Sequence, residues 1–404
     1  MIRWVSAGES HGEALTGIID GIPAGVSVTS EDIATALARR RLGYGRGARQ
    51  KFERDEVRIL GGVRHGLTMG SPVAIEIHNT EWPKWEVVMS ADPVDPKQLL
   101  IHAGTGDERE IARNRPLTRP RPGHADFAGM MKFDHSEARP VLERASARET
   151  AMRVALGAIA EAFIQQVAGV EIVSHVVEIG DQQARADTLP CIDDRQILDE
   201  SPVRTLDQDA QTRFIEAIDR AQASGDTIGG VVEVIAYGVP VGLGSYTQWD
   251  RRLDAKLAGA LMSVQAAKSV EVGEGLGQVR RLGSAAHDEI IVDDQVTRLT
   301  NRAGGIEGGM SNGEPIRVRI GFKPISTVPR ARQTIDLATG EQAPALHQRS
   351  DTCAVVPAAV ICEAVVALVL ADAVTDMFGD GSLSRIRTAL ADYAKTVEAR
   401  MRPR

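Results

Sequence analysis

Aromatic residues make up only 4% of this 404-residue chain, so it offers few flat faces on which bases could stack. Cysteine is scarce too: Cys191, Cys353 and Cys362 form no CxxC pair and have no histidine at metal-ligand spacing. That argues for a reducing compartment and against a metal site. Positive charge is in deficit, with a formal net charge of −8, whereas a nucleic-acid surface needs a positive field across one face. The chain opens on the strand-like Ile2-Arg3-Trp4-Val5 without a basic, apolar leader, so a cytoplasmic location is expected. One apolar run, 354–371, is long enough to raise a membrane span. Pro357 and Glu363 interrupt it and Asp372, Asp376 and Asp380 follow, so it reads as a buried central helix. Neither membrane nor nucleic acid is expected as a partner.

The chain does hold 43% apolar residues, 39 glycines and no stretch that reads as a linker. These point to one large domain over 1–404. Strand-like alternation occurs at 15–20, 56–63, 72–78, 170–179, 230–237 and 316–322, and Val73, Ile75 and Ile77 fall on one face. Helical spacing predicts 30–40, with Thr29 and Asp32 as a capping box, then 143–167, 209–223, 250–267, 357–377 and 382–399. Four long polar or glycine-rich loops lie between them, at 43–51, 79–126, 268–288 and 301–313. Loops this long in a compact chain are usually functional or disordered.

Against the acidic background, arginine is concentrated in two islands: Arg39, Arg40, Arg41, Arg46 and Arg49, then Arg113, Arg115, Arg119 and Arg121. Such islands suit a small polyanion, although a solvated charged face is the commoner meaning of an arginine run. Gly8-Glu9-Ser10-His11-Gly12 fits the G-x-S-x-G of a serine hydrolase, but that elbow needs a helix to follow and 15–23 reads as strand and turn. His11, exposed between glycines, is the other candidate for the working residue, and an incidental histidine in a turn is the plain alternative. In Arg119-Pro120-Arg121-Pro122-Gly123-His124-Ala125-Asp126, two prolines stiffen a segment that carries two arginines, an imidazole and a carboxylate. Arginines held this way can fork onto phosphate or carboxylate, and an imidazole can protonate a departing oxyanion. Arg144 and Arg148, read as opening a long helix, gain nothing from the helix dipole there. A bound anion would explain them, as would salt bridges to Glu143 and Glu149. The glycine loop 304–313 lacks the Gly-Lys-Ser/Thr of a P-loop, and Lys323-Pro324-Ile325-Ser326-Thr327 offers hydroxyls and a lysine that suit a flavin.

Five ordered motifs, Gly-Glu-Ser-His-Gly, Arg-Pro-Gly-His-Ala-Asp, Glu-Arg-Ala-Ser-Ala-Arg-Glu-Thr, Gly-Gly-Met-Ser-Asn-Gly and Arg-Ser-Asp, together resemble the chorismate synthase family over almost the whole chain. The resemblance implies an α+β fold with a helical layer sandwiched between antiparallel sheets, assembled as a homotetramer. The implied reaction is anti-1,4-elimination of phosphate from 5-enolpyruvylshikimate 3-phosphate to give chorismate, the last step of the shikimate pathway, with reduced FMN and no net redox change. His11 would protonate the reduced flavin, His124 the leaving phosphate, and Asp351, with the flavin's N5, would take the substrate hydrogen. Flavin contacts are implied at Arg144, Ala145, Ser146, Gln265, Ala266, Gly308, Lys323, Pro324, Ile325, Ser326, Thr327 and Arg349. Substrate contacts are implied at Ser10, Arg40, Arg46, Arg121, Arg144 and Arg349, with Arg40 and Arg46 also linked to NADPH. Either NADPH at this chain or a separate flavin reductase would supply the electrons. Leu42, Ala145 and Ser350 depart from residues that many members carry. A serine hydrolase and a non-catalytic flavin- or anion-binding module stay as alternatives at this point.

Overall fold

The computed structural model describes residues 1–47, 55–99, 112–186, 188–292, 296–345 and 351–401. Two antiparallel sheets enclose a layer of helices. The first has the order β1-β2-β4-β3, from β1 (Arg3–Ala7), β2 (Ala14–Asp20), β3 (Glu56–Gly61) and β4 (Val73–His78). The second has the order β8-β9-β7-β5-β6, from β5 (Glu171–Ile179), β6 (Gln182–Gln183), β7 (Gly230–Tyr237), β8 (Ala267–Val272) and β9 (Ile316–Phe322). In β4 the alternation places Val73, Ile75 and Ile77 inside, where they are fully buried.

The helical layer contains α1 (Ser30–Arg40), α2 (Thr150–Ala168), α3 (Leu253–Met262) and α4 (Val355–Phe378). Helix α2 lies under the first sheet, and α4 packs between α2 and the strands β5 and β7. That arrangement explains why α4 is apolar nearly all round: although long and apolar enough to cross a membrane, it is covered by protein on every side. The two helices touch closely where Gly157 of α2 meets Ala364 of α4, since a Cβ at Gly157 would come within 2.4 Å of the Ala364 Cβ. Neither backbone can retreat without opening the core, so Gly157→Ala is expected to cost about 1–3 kcal/mol, read as an earlier chemical unfolding midpoint.

Helix α1 starts and ends where the capping box sets it, with Thr29 accepting from the Asp32 amide and Asp32 accepting from the Thr29 amide. Other boundaries differ from expectation. The helix expected from 143 begins only at Thr150, preceded by a short helix Arg139–Arg144 and a 3-10 turn Ala147–Glu149 that Ser146 caps. The helix expected over 250–267 stops at Met262. Beyond it Ala266 takes a left-handed φ of 68°, a conformation helix cannot continue through. The expected loop 268–288 is in part the edge strand β8, whose residues are all at least partly exposed. A hairpin of Gln333–Asp336 with Glu341–Pro344 carried no alternating signal.

Candidate active site

The first motif is the turn between β1 and β2. Gly8 is required there by its backbone, with φ of 100° and the Ala14 carbonyl oxygen 2.4 Å from where a Cβ would stand. Beyond the turn the chain runs into strand β2 and not a helix, so the nucleophile-elbow geometry is absent and the serine hydrolase reading is dropped. Ser10 is buried and donates its amide to the Glu143 carbonyl. The His11 amide donates to Glu143 Oε2 at 3.0 Å, and His11 Nδ1 lies 2.8 Å from the same oxygen. The imidazole also stacks on Trp85, centroid to centroid 3.8 Å, and the Arg113 guanidinium sits 5.4 Å from the centre of the Trp85 ring.

The second motif is pinned at Asp126, which is 1% exposed. Its carboxylate accepts from the Arg121 amide (3.0 Å), Arg121 Nε (2.8 Å) and Arg121 Nη2 (3.2 Å), and His124 Nδ1 lies 2.5 Å from Oδ1. Burial would raise this carboxyl's pKa, but the hydrogen bonds from His124 and Arg121 outweigh burial and hold it well below the usual carboxylate range. Outside the motif, Thr334 donates to the Pro120 carbonyl and Arg119 pairs with Asp336, so the 333–344 hairpin braces the segment from behind.

Hydrogen bonds and short steps along the chain link these segments in an open path. Glu143 holds His11, and a few residues on Glu149 accepts from Gln265 Nε2 (3.1 Å). The next carbonyl, at Ala266, accepts from the Lys323 amide (3.0 Å), and Lys323 Nζ donates to the Gly123 carbonyl (2.5 Å) beside His124. Thr327 accepts from Arg121 Nη1 (3.4 Å). On the far side the Ile325 carbonyl accepts from Thr227, Ile228 donates to the Thr352 carbonyl and Thr352 to the Gly45 carbonyl. That path ends on Asp351, which accepts from Arg46 Nη1 (2.5 Å) and the Gly47 amide (2.7 Å). Pro324, Ile325 and Ser326 lie on the same segment. Gly308 does not join: it tops a small hairpin, Ile306–Glu307 with Met310–Ser311, and no hydrogen bond among the described residues ties it to that path. Arg349 and Ser350 lie outside the described residues.

The arginines expected to meet anions also have duties within the protein. Arg40 is buried and commits Nε to Thr150 and Nη2 to the Ala147 carbonyl. Arg144 donates to the Ser6 and Gly8 carbonyls. Arg148 pairs with Asp55 at 2.5 Å. An anion is therefore not needed to explain Arg144 and Arg148, because the helix end where one was expected is not formed by these residues. Three participants were missed as functional residues. Asp126 and Glu143 were in view as members of their motifs, and the signal was a carboxylate in the same short segment as a histidine or arginine. Trp85 had no signal, since it ends a single helical turn, Trp82–Trp85, too short to show periodicity.

The family model described as chorismate synthase matches residues 2–375. A chorismate synthase of Beutenbergia cavernae is 60% identical over 405 residues, covering 100% of both chains, and one of Streptomyces coelicolor is 59% identical over 99% of each. A solved structure titled "Crystal Structure of Chorismate Synthase" superposes with a TM-score of 0.76 at 34% identity and covers 98% of each chain. That neighbour agrees with the sandwich of helices between antiparallel sheets described above. With the family model and its relatives matched from end to end, the chain belongs to the chorismate synthase family and is an enzyme, a carbon–oxygen lyase.

Proposed function

We propose that the chain eliminates phosphate from 5-enolpyruvylshikimate 3-phosphate to give chorismate, the closing step of the shikimate pathway, with reduced FMN bound and no net redox change. The observation that supports this reading is the path of hydrogen bonds in which two carboxylate-held histidines, Lys323, Thr327 and Asp351 all take part. A substrate with one phosphate and two carboxylates accounts for clustered arginines in an acidic protein.

The residues fit a flavin on one point of structure. Gln265 Oε1 is buried without a hydrogen-bond partner among the described residues, an acceptor that a donor N–H or O–H would satisfy. Arg144 to Ser146, Gln265, Ala266, Lys323 to Thr327 and Arg349 would hold the group, with Gly308 as the outlying contact. When bound, reduced FMN supplies electron density that assists departure of the phosphate and is recovered afterwards. The chain's own residues manage the protons: His11 maintains the protonation of the flavin, His124 donates to the leaving phosphate oxygen, and Asp351 receives the hydrogen lost as a proton. Arg46 and Arg121 bind the substrate's anionic groups, and Ser10 lies beside His11. A cytoplasmic homotetramer, supplied with electrons by NADPH at Arg40 and Arg46 or by a separate flavin reductase, completes the reading.

Incubation without oxygen, with the substrate and chemically reduced FMN, is expected to release phosphate and chorismate in equal amounts while the flavin ends as it began. Oxidised FMN should not support the reaction. Absence of phosphate release under reducing conditions would sink the proposal.

A further inference from the structure

The contacts around His124 decide which of its nitrogens carries a proton. Arg121 Nη2 and Asp126 Oδ1 both approach Nδ1, at 3.0 and 2.5 Å. A guanidinium only donates and an ionised carboxylate only accepts, so the two neighbours ask for opposite tautomers. The carboxylate prevails. It is the nearer, and three N–H groups of Arg121 already fix it as an ionised acceptor. Arg121 Nη2 has its own acceptor in the same oxygen and does not need the ring nitrogen. Nδ1–H therefore points at Asp126, and the contact between Nη2 and Nδ1 is two donors converging on one carboxylate. Glu143 stands in the same relation to Nδ1 of His11, from a different element and a different motif.

We infer that Asp126 is a positioning residue for the elimination: by holding Nδ1–H of His124 it fixes the ring plane, so that the doubly protonated ring gives its Nε2 proton to the departing phosphate and is left neutral with its proton on Nδ1. Proline on either side of Arg121 limits how far the segment can yield, and the Lys323 bond to the Gly123 carbonyl ties the turn that precedes the ring. Asp126 is itself buried, so its part is played through the histidine. The inference rests on the proton-donor role proposed for His124, and its tests separate the two.

In nitrogen-15 spectra of protein labelled at histidine, with His124 assigned from the signal that disappears in His124→Ala, the neutral ring is expected to carry its proton on Nδ1. A neutral ring protonated on Nε2 would overturn the inference, and this measurement needs no catalytic activity and no altered Asp126. In the elimination assay Asp126→Asn is expected to lower kcat roughly 10- to 100-fold with KM within about threefold, since orientation of the donor matters in the transition state more than in binding. An unchanged kcat, or a loss carried by KM alone, would refute it. Should wild-type protein release no phosphate, the proposed function fails while the spectra still decide the tautomer. Should Asp126→Asn fail to fold, the wild-type spectra decide alone.

Discussion

Replacing His124 with alanine is expected to slow phosphate release by about 10²- to 10⁴-fold, the span that a positioned general acid contributes. In the proposed reaction a leaving phosphate would need its developing charge met as the bond breaks, and His124, held by Asp126 and flanked by Arg121, is the imidazole assigned that task. Substrate affinity should change much less, because Arg121 keeps its own bonds to Asp126 and Thr327 without the ring. Stopped-flow phosphate detection under anaerobic conditions reads the effect directly. Added imidazole, entering the space the side chain vacates, is expected to restore part of the rate. Turnover within a few-fold of wild type would remove His124 from the chemistry, and a loss confined to KM would make it a binding group.

The second large effect concerns stability. Glu363 in the middle of α4 is 1% exposed and accepts from Arg39 Nη1 (2.7 Å), Arg204 Nη2 (2.8 Å) and Ser174 (2.6 Å). Asp199 completes the cluster by accepting from both arginines. Glu363→Gln would leave two buried cations with one carboxylate between them, and removing a partner from a buried pair costs about 3–5 kcal/mol. Urea unfolding at neutral pH should show it as a lower midpoint with the slope unchanged. Acid should erase the difference. Burial alone would raise the Glu363 carboxyl, but the charges of Arg39 and Arg204 outweigh it and bring it down to about 2 from an ordinary 4.5. Because the folded value lies below the unfolded one, the stabilisation is complete above the unfolded value and is lost as pH falls toward 2. Wild type and variant should therefore converge between about pH 5 and pH 2. Glu233, also brought to about 2 against its burial by His175, Arg317 and Arg319, weakens in the same window. A gap that persisted at pH 2 would mean that packing, and not charge, accounts for the loss.

Several strands were legible by their alternation and the long helices by their apolar stripes, while their stacking as a sandwich was implied only by the resemblance to the family. The failures have local causes. Strand β8 sits at a sheet edge where Val270 and Val272 are only partly buried against the core, so its alternation is too short and too exposed to stand out. The start of α2 was placed too early because Arg139–Arg144 and Ala147–Glu149 are helical pieces with the same spacing, and only Ser146 breaks them apart. At the site, the motifs could be read as groups but their partners could not, because an arginine's partner is chosen by the fold. Arg40, Arg144 and Arg148 looked alike in sequence, yet they meet a hydroxyl and a carbonyl, two carbonyls and a serine hydroxyl, and a carboxylate. Trp85 against His11 lay beyond any pattern, as stacking across 74 positions leaves no periodic trace.

Arg46 and Asp351 are 305 positions apart in sequence and 2.5 Å apart in space. Asp351 thus acts as an internal competitor for any ligand anion that seeks Arg46, and the apparent affinity of such a ligand is reduced by the strength of the pair it must displace. The exchange is reciprocal: a ligand that takes Arg46 leaves Asp351 with the Gly47 amide as its remaining partner among the described residues and an oxygen turned over to new contacts. Occupancy of the site and release of its carboxylate are then two sides of a single equilibrium.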